Sequence, residues 1–203
     1  MRRFVIIAHD VPLDGDFSLD DLPGTGGRID VVCRCVTAAL LLSHDLRYDV
    51  EVKIVVQNDV TISIDGREIR RLNPDERSTA ARLRTALSHR DELVGRRPIE
   101  PTPGIEIVAD DLARTLETIN AADDPIYHLD PEGAPITRES PPDNPTFVLS
   151  DHRPFSSADQ GTLEEFDPRK RSLSPRSIHA DHAITVAHNW VDTNGFTDFQ
   201  TDR

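Results

Sequence analysis

The stretch Phe4-Val5-Ile6-Ile7-Ala8, met at once by His9-Asp10, decides the fold class. Five apolar residues in a row do not alternate, so a strand made of them is buried on both faces. Such strands belong to mostly parallel sheets covered by helices. The row is too short for a signal peptide. Phe147-Val148-Leu149, ending in Ser150-Asp151-His152, predicts a second buried strand, and Ile126 to Leu129 a third. Val50 to Val56 and Val60 to Ile64 flank Gln57-Asn58-Asp59, a hairpin signal, and Asp65-Gly66 turns the chain again. Helical spacing predicts Ile29 to Leu46 as a helix, with Val32, Val36, Ala39 and Leu40 on one stripe joined by Cys35. Asn73-Pro74-Asp75-Glu76 predicts a helix start with Asn73 as cap, running to about Val94. Asp110 to Ala121 predicts a further helix, and Asp181 to Asp192 the last, with Ile184, Ala187 and Val191 inward. Val11 to Gly27 and Pro131 to Pro145 read as loops and Pro98 to Pro103 as a linker, from their proline and glycine. Alternating strands and helices predict one α/β domain over residues 1–203 with a mostly parallel sheet.

Composition narrows the setting. The 203 residues carry 36 Asp and Glu against 23 Lys and Arg, a formal net charge of -13. Only Lys53 and Lys170 are lysines, and Asp outnumbers Glu by 25 to 11. Acid excess with almost no lysine is expected of a cytoplasm at very high salt, where repulsion is screened within a few ångströms and negative charge keeps protein in solution. At face value -13 opposes a nucleic-acid partner; in molar salt that argument weakens, because short contacts must carry binding. No apolar stretch approaches the ~20 residues of a membrane span, so the expectation is a soluble cytoplasmic protein. Two cysteines exclude a disulfide scaffold.

Pattern alone yields little chemistry. Cys33-Arg34-Cys35 lacks two further zinc ligands and reads as core. His179, His182 and His188 lie near Asp181 and Asp192, but no third ligand has metal-site spacing, so no metal is expected; His179 and His188 read as groups at helix ends. Ser150-Asp151-His152 cannot be a triad, since neighbours on a strand point to opposite faces. Gly24-Thr25-Gly26-Gly27 follows no strand and offers no lysine, so it reads as a flexible loop. Position is more informative: ligands of open parallel sheets bind beyond the carboxyl ends of strands. Leu129, Ser150-Asp151-His152 and Ser172 to Ser177 are such ends, and they point to a small-molecule site in the C-terminal half.

Three segments carry a resemblance: Gly27 to Cys35, Phe147 to His152, and Ser172-Leu173-Ser174-Pro175-Arg176-Ser177-Ile178-His179-Ala180-Asp181-His182-Ala183-Ile184, followed by Thr185 to Asn189. In sequence and order, over essentially the whole chain, they resemble the archaeal tRNA (pseudouridine-54) N1-methyltransferase family of the SPOUT superfamily. The resemblance implies a C-terminal deep trefoil knot, residues of about 125–195 forming the knotted cofactor site, a homodimer, and S-adenosyl-L-methionine as methyl donor. It maps cofactor contacts onto Leu129, Ser150, Ser172, Leu173, Ser174, Pro175, Arg176, Ser177 and Ala183. Two departures stand out: Ser150 replaces the family's usual glycine, and Ala183 a frequent cysteine. Main-chain contacts tolerate both changes, and Ala183 argues against a thiol nucleophile.

The implied reaction needs the N1–H of pseudouridine placed in line with a methyl sulfonium, and a group to take the proton. Asp30 and Asp151 are the candidate proton acceptors. Arg28 and Arg34 are candidates for the base carbonyl or phosphates, although Asp30 and Arg34 also have the spacing of an i,i+4 ion pair. Arg169, Arg171 and Arg176 form a basic cluster beside the cofactor loop; Arg67, Arg70, Arg71, Arg96 and Arg97 are other charge runs. His9 and His152 are pocket candidates read as structural. The alternatives are a related enzyme acting on pseudouridine in ribosomal RNA, and a non-catalytic RNA-binding module of the same fold.

Overall fold

The computed structural model describes residues 1–120 and 124–199. One eight-stranded sheet runs through it. Its strands are β1 (Arg2–Ala8), β2 (Val50–Val56), β3 (Val60–Asp65), β4 (Ile99–Thr102), β5 (Ile105–Val108), β6 (Ile126–Pro135), β7 (Thr146–Ser150) and β8 (Arg169–Ser172). They lie in the order β4-β5-β3-β2-β1-β7-β6-β8. From β2 to β8 every pairing is parallel, and β3, β5 and β4 are added antiparallel at the other end. The helices are α1 (Leu22–Thr25), α2 (Ile29–Leu40), α3 (Glu76–Ser88), α4 (Leu112–Asn120), α5 (Ser157–Glu164) and α6 (Ala180–Asp192).

β1 shows why its apolar run is unbroken. Phe4, Ile6 and Ala8 enter a core shared with α2, α3 and α6, while Val5 and Ile7 enter a second core with α4 and α5. Trp190 of α6 is fully buried and meets Tyr127 of β6 and Phe147 of β7 edge-on, with centroids 5.6 and 6.2 Å away. The β2–β3 hairpin is as expected: Gln57 and Asn58 both have positive φ, 48° and 54°, the pair of left-handed residues of a type I′ turn.

Several expectations are corrected. α2 ends at Leu40, not Leu46, because Leu41 turns extended and bridges back to Leu46 across a tight reversal. Asp75, not Asn73, caps α3: its carboxylate accepts from Ser78 N at 2.7 Å, the stronger anion for a helix start. That helix stops at Ser88, and a short 3₁₀ turn over Arg90–Glu92 follows. The Pro98–Pro103 linker is largely strand β4, tolerable for Pro101 because the strand is an edge. The Pro131–Pro145 loop begins as an extension of β6, whose Ala134 and Pro135 pair with Arg171 and Ser172. Within the Val11–Gly27 loop, Asp21 caps one helical turn, Leu22–Thr25. The expected end of the fourth helix, Ala121, lies outside the described residues. Helix α5 and strand β8 were not legible as elements.

Candidate active site

The carboxyl ends of β1, β7, β6 and β8 converge where the strand order changes direction beside β1. There the chain leaves a cavity of about 590 Å³, the usual place for a ligand in an open parallel sheet. One wall is the segment after β8: Leu173, Ser174, Arg176, Ser177, Ile178, His179, Ala180 and, one turn into α6, Ala183. The floor is Leu129 of β6 and Leu149-Ser150-Asp151 of β7. The opposite wall is the start of α2, with Arg28, Val31 and Arg34. His152, Arg153 and Phe155 close one side.

The structure thus brings together Leu129, Ser150, Leu173, Ser174, Arg176, Ser177, Ala183, Asp151, Arg28 and Arg34. Ser172 and Pro175 belong to the same segment but do not line the cavity, and Asp30 lies beneath it. Arg171 lines it with its guanidinium paired to Glu139 at 2.5 Å. Arg169 stays outside, over the Tyr127 ring and paired to Glu139 at 2.7 Å. Among the cavity residues that sequence reasoning missed are Asp130, Arg153, Phe155 and Gln160. The last three sit in or beside the unrecognised α5, so only its Ser156-x-x-Asp159 capping pattern could have revealed them.

The donor and acceptor set fits a neutral heterocycle joined to a charged tail. Ser150 Oγ is buried without a hydrogen-bond partner. Among the described residues, the main chain from Leu173 to Ile178 makes no backbone–backbone hydrogen bond outside regular elements. Arg176 N donates to Ser174 Oγ at 3.3 Å; the remaining free N–H and C=O groups, against apolar Leu129, Leu149 and Leu173, are what an adenine edge and face require.

Local backbone sets the far wall. Gly27 has φ +56°, and a Cβ there would lie 1.9 Å from Asp10 O. Arg28 follows with φ 64° as the N-cap of α2. This left-handed pair swings the Arg28 side chain back over its own helix start. There its Nε and Nη2 fork onto Asp30 at 3.0 and 3.1 Å. Arg34 Nη1 reaches the same carboxylate at 3.1 Å and Glu76 of α3 at 2.9 Å. Asp30 is 4% exposed. Burial alone would raise its pKa, yet the two guanidinium groups hold it below the usual carboxylate range. The i,i+4 pair is therefore real and is half of a larger fork.

Asp151 is equally committed. Its side chain is 1% exposed; it accepts from His9 N at 2.9 Å and Arg153 N at 2.9 Å, and it faces His9 Nδ1 at 3.0 Å. His9 Nε2 lies 3.0 Å from Asp159 at the start of α5. Both ring nitrogens thus face carboxylates, the arrangement of an imidazolium. Burial opposes that charge, and Asp159 and Asp151 outweigh it, raising the His9 pKa.

Away from the cavity, the cysteines and His188 are settled. Cys33 and Cys35 are fully buried, and burial pushes both thiols far up. His188 does not sit at a helix end in solvent as expected. It lies on the inner stripe of α6, where Nε2 donates to Ala39 O at 2.9 Å and Nδ1 accepts from Arg2. Burial, with Arg47 and Arg2 adding positive charge, lowers its pKa to about 3.

Comparison with known proteins follows the same line. Residues 1–196 match the family described as "Putative SAM-dependent RNA methyltransferase". Three relatives bear the name tRNA (pseudouridine(54)-N(1))-methyltransferase. The one from Haloarcula marismortui is 47% identical, covering 97% of this chain and 98% of its own. That from Haloferax volcanii is 47% identical, covering 97% and 99%. That from Natronomonas pharaonis is 49% identical, covering 97% and 98%. Among solved structures, Archaeoglobus fulgidus Nep1 bound to S-adenosylhomocysteine superposes with a TM-score of 0.61 over 94% of this chain and 97% of that one. At 15% identity this likeness bears on the fold alone. The chain belongs to this family of S-adenosylmethionine-dependent RNA methyltransferases.

Proposed function

We propose that this chain methylates N1 of pseudouridine at position 54 of tRNA, with S-adenosyl-L-methionine as donor. One observation carries the reading: a single cavity has free main-chain groups on the wall after β8 and two guanidinium groups, held by one carboxylate, on the wall from α2. The first wall, with Leu129, Ser150, Ala183 and the segment Ser172 to Ser177, would hold the cofactor. When bound, the cofactor supplies an electrophilic methyl group on sulfonium. Arg28, half-exposed, and Arg34 face the base and its phosphates. Asp30 does not serve as a free base here; with three N–H groups on its two oxygens it fixes both arginines. Arg176, exposed beside the cofactor wall, and Arg169 and Arg171 on β8 extend positive charge toward the RNA backbone. A base in this cavity must leave the RNA stack, as base-modifying enzymes require.

Residues 1–203 act as one domain, with 125–195 carrying a trefoil knot that threads α6 through the chain after β6. Two contacts support it. A Cβ on Gly133 would lie 2.6 Å from the Arg171 backbone, and one on Gly195, past α6, 3.7 Å from Pro141. Segment 131–145 therefore touches the end of β8 and the end of α6. The enzyme works as a homodimer, for which exposed Leu42, Tyr48 and Ile178 offer apolar surface. It works in the cytoplasm at high salt, in keeping with the charge pattern; no helix among the described residues is long and apolar enough to cross a membrane.

The test is incubation in molar KCl with labelled S-adenosyl-L-methionine and tRNA transcripts carrying uridine or pseudouridine at position 54. Label is expected only with pseudouridine. Label that ignores it, or that enters ribosomal RNA fragments instead, overturns the substrate. No label, with the cofactor bound, favours a binding module.

A further inference from the structure

Resting on the function just proposed, we infer that His152 is the group that takes the N1 proton, with Asp10 and Asp151 stabilising the charge it acquires. His152 lines the cavity immediately after β7, and its side chain is 24% exposed. Its Nε2 lies 3.4 Å from Asp10 Oδ2 and its Nδ1 3.5 Å from Asp151 Oδ2. These are ionic distances, and no hydrogen bond among the described residues fixes the ring. Unlike His9, whose two nitrogens are held by hydrogen bonds, this ring is free to turn one nitrogen into the cavity, with two carboxylates near enough to favour the charge it would gain.

The carboxylates in and beneath the cavity are already paired. Both oxygens of Asp30 are taken by Arg28 and Arg34, and those of Asp151 by His9 and the Arg153 amide. Asp130 is paired with Lys170 at 3.0 Å and accepts from Glu132 N. His179 also lines the cavity, but the ring beside it is His182, at 5.8 Å, and among the described residues no carboxylate lies within ion-pair distance of it. A proton on His179 would meet no opposite charge.

The charges around His152 come from three elements. Asp10, after β1, is shared with Arg153 at 2.6 Å. Asp151, at the end of β7, carries the His9 contact. Arg28, at the start of α2, adds positive charge toward Asp151. In the exchange the N1–C bond forms and the C–S bond breaks with its electron pair left on sulfur. The N1 proton passes to the imidazole, so the imidazolium carries the charge that the sulfonium loses, and it returns the proton to water afterwards. An imidazole that can turn toward the reacting nitrogen can accept one proton and hand it on, which is the task of a general base.

The experiment compares wild type, His152→Gln and His152→Gly in molar KCl. The readouts are single-turnover methylation of pseudouridine-54 tRNA from pH 5.5 to 9, calorimetric binding of S-adenosylhomocysteine, and histidine-ring NMR. His152→Gln is expected to lower turnover by about 10²-fold or more and to flatten the rising limb of the pH profile, with S-adenosylhomocysteine affinity held within about threefold. Added imidazole is expected to restore part of the turnover of His152→Gly. In wild type, the His152 ring signal should titrate over the same range as that limb. Turnover of His152→Gln within about threefold with the limb intact would overturn the assignment, as would loss of the limb in Asp30→Asn while His152→Gln keeps it. No methylation by the wild type on pseudouridine RNA would overturn the proposed function and this inference with it.

Discussion

Two histidines show how far a residue's environment outruns its letter. His188 is held neutral, so below about pH 6.5 the unfolded chain takes up a proton that the folded one refuses until about pH 3. Its contribution to stability therefore falls with pH across that window, by about 1.4 kcal/mol per unit at most. His188→Gln is expected to be less stable than wild type at pH 7.5 and to lose less stability on acidification; denaturant melts from pH 7.5 to 4.5 measure it. His9 has the opposite sign. Its raised pKa gives stabilisation that is complete below about 6.5 and is lost as pH rises through the higher folded value. The wild type's advantage over His9→Gln should be largest at pH 6 and shrink toward pH 8.5, and equal gaps at both would refute the imidazolium. Neither state was legible in the sequence. Both depend on partners 142 to 186 positions away, whereas the Asp30–Arg34 pair, four residues apart, could be read directly. What spacing could not add was Arg28, whose return to Asp30 requires the left-handed turn at Gly27.

At the scale of elements, that turn is the most fragile joint. Gly27→Ala forces a side chain into φ +56° and against the Asp10 carbonyl. The backbone conformation alone costs about 1–3 kcal/mol, so the variant should melt several degrees lower in calorimetry and lose tRNA affinity more than cofactor affinity. Helix α5 rests on its start: Ser156 Oγ accepts from Asp159 N at 3.1 Å, and the Asp159 carboxylate accepts from Ser156 N at 2.8 Å. Ser156→Ala should cost about 0.5–2 kcal/mol and loosen Asp159 from His9, read as faster amide exchange in α5. The strands β1, β2, β3 and β7 and helix α6 were legible because burial imposes a period on them. β8 was not: Arg169-Lys170-Arg171-Ser172 is an edge strand of charged residues whose side chains find Glu139 and Asp130. A strand that satisfies its charges by pairing carries no apolar signature.

The whole molecule is a balance of like charges. With a net charge of -13, lowering KCl from about 3 M to 0.1 M lengthens screening from under 3 Å to about 10 Å and exposes the surface carboxylates to one another. Thermal unfolding should shift down over that range, while contacts near 3 Å, such as the Asp30 fork, persist. An unchanged Tm would show that the acid excess is indifferent to salt. The cavity is also a whole-chain object. Its far wall comes from α2, the first long helix, and its near wall from residues 173–183, which lead into the last one. A chain that has not yet delivered α6 holds only one of the two walls, so a surface for the methyl donor should close only once residues 173–183 are in place. Cofactor capture therefore reports on the closing of that wall, and a chain cut short before Ala180 should be invisible to the donor however well its sheet has formed.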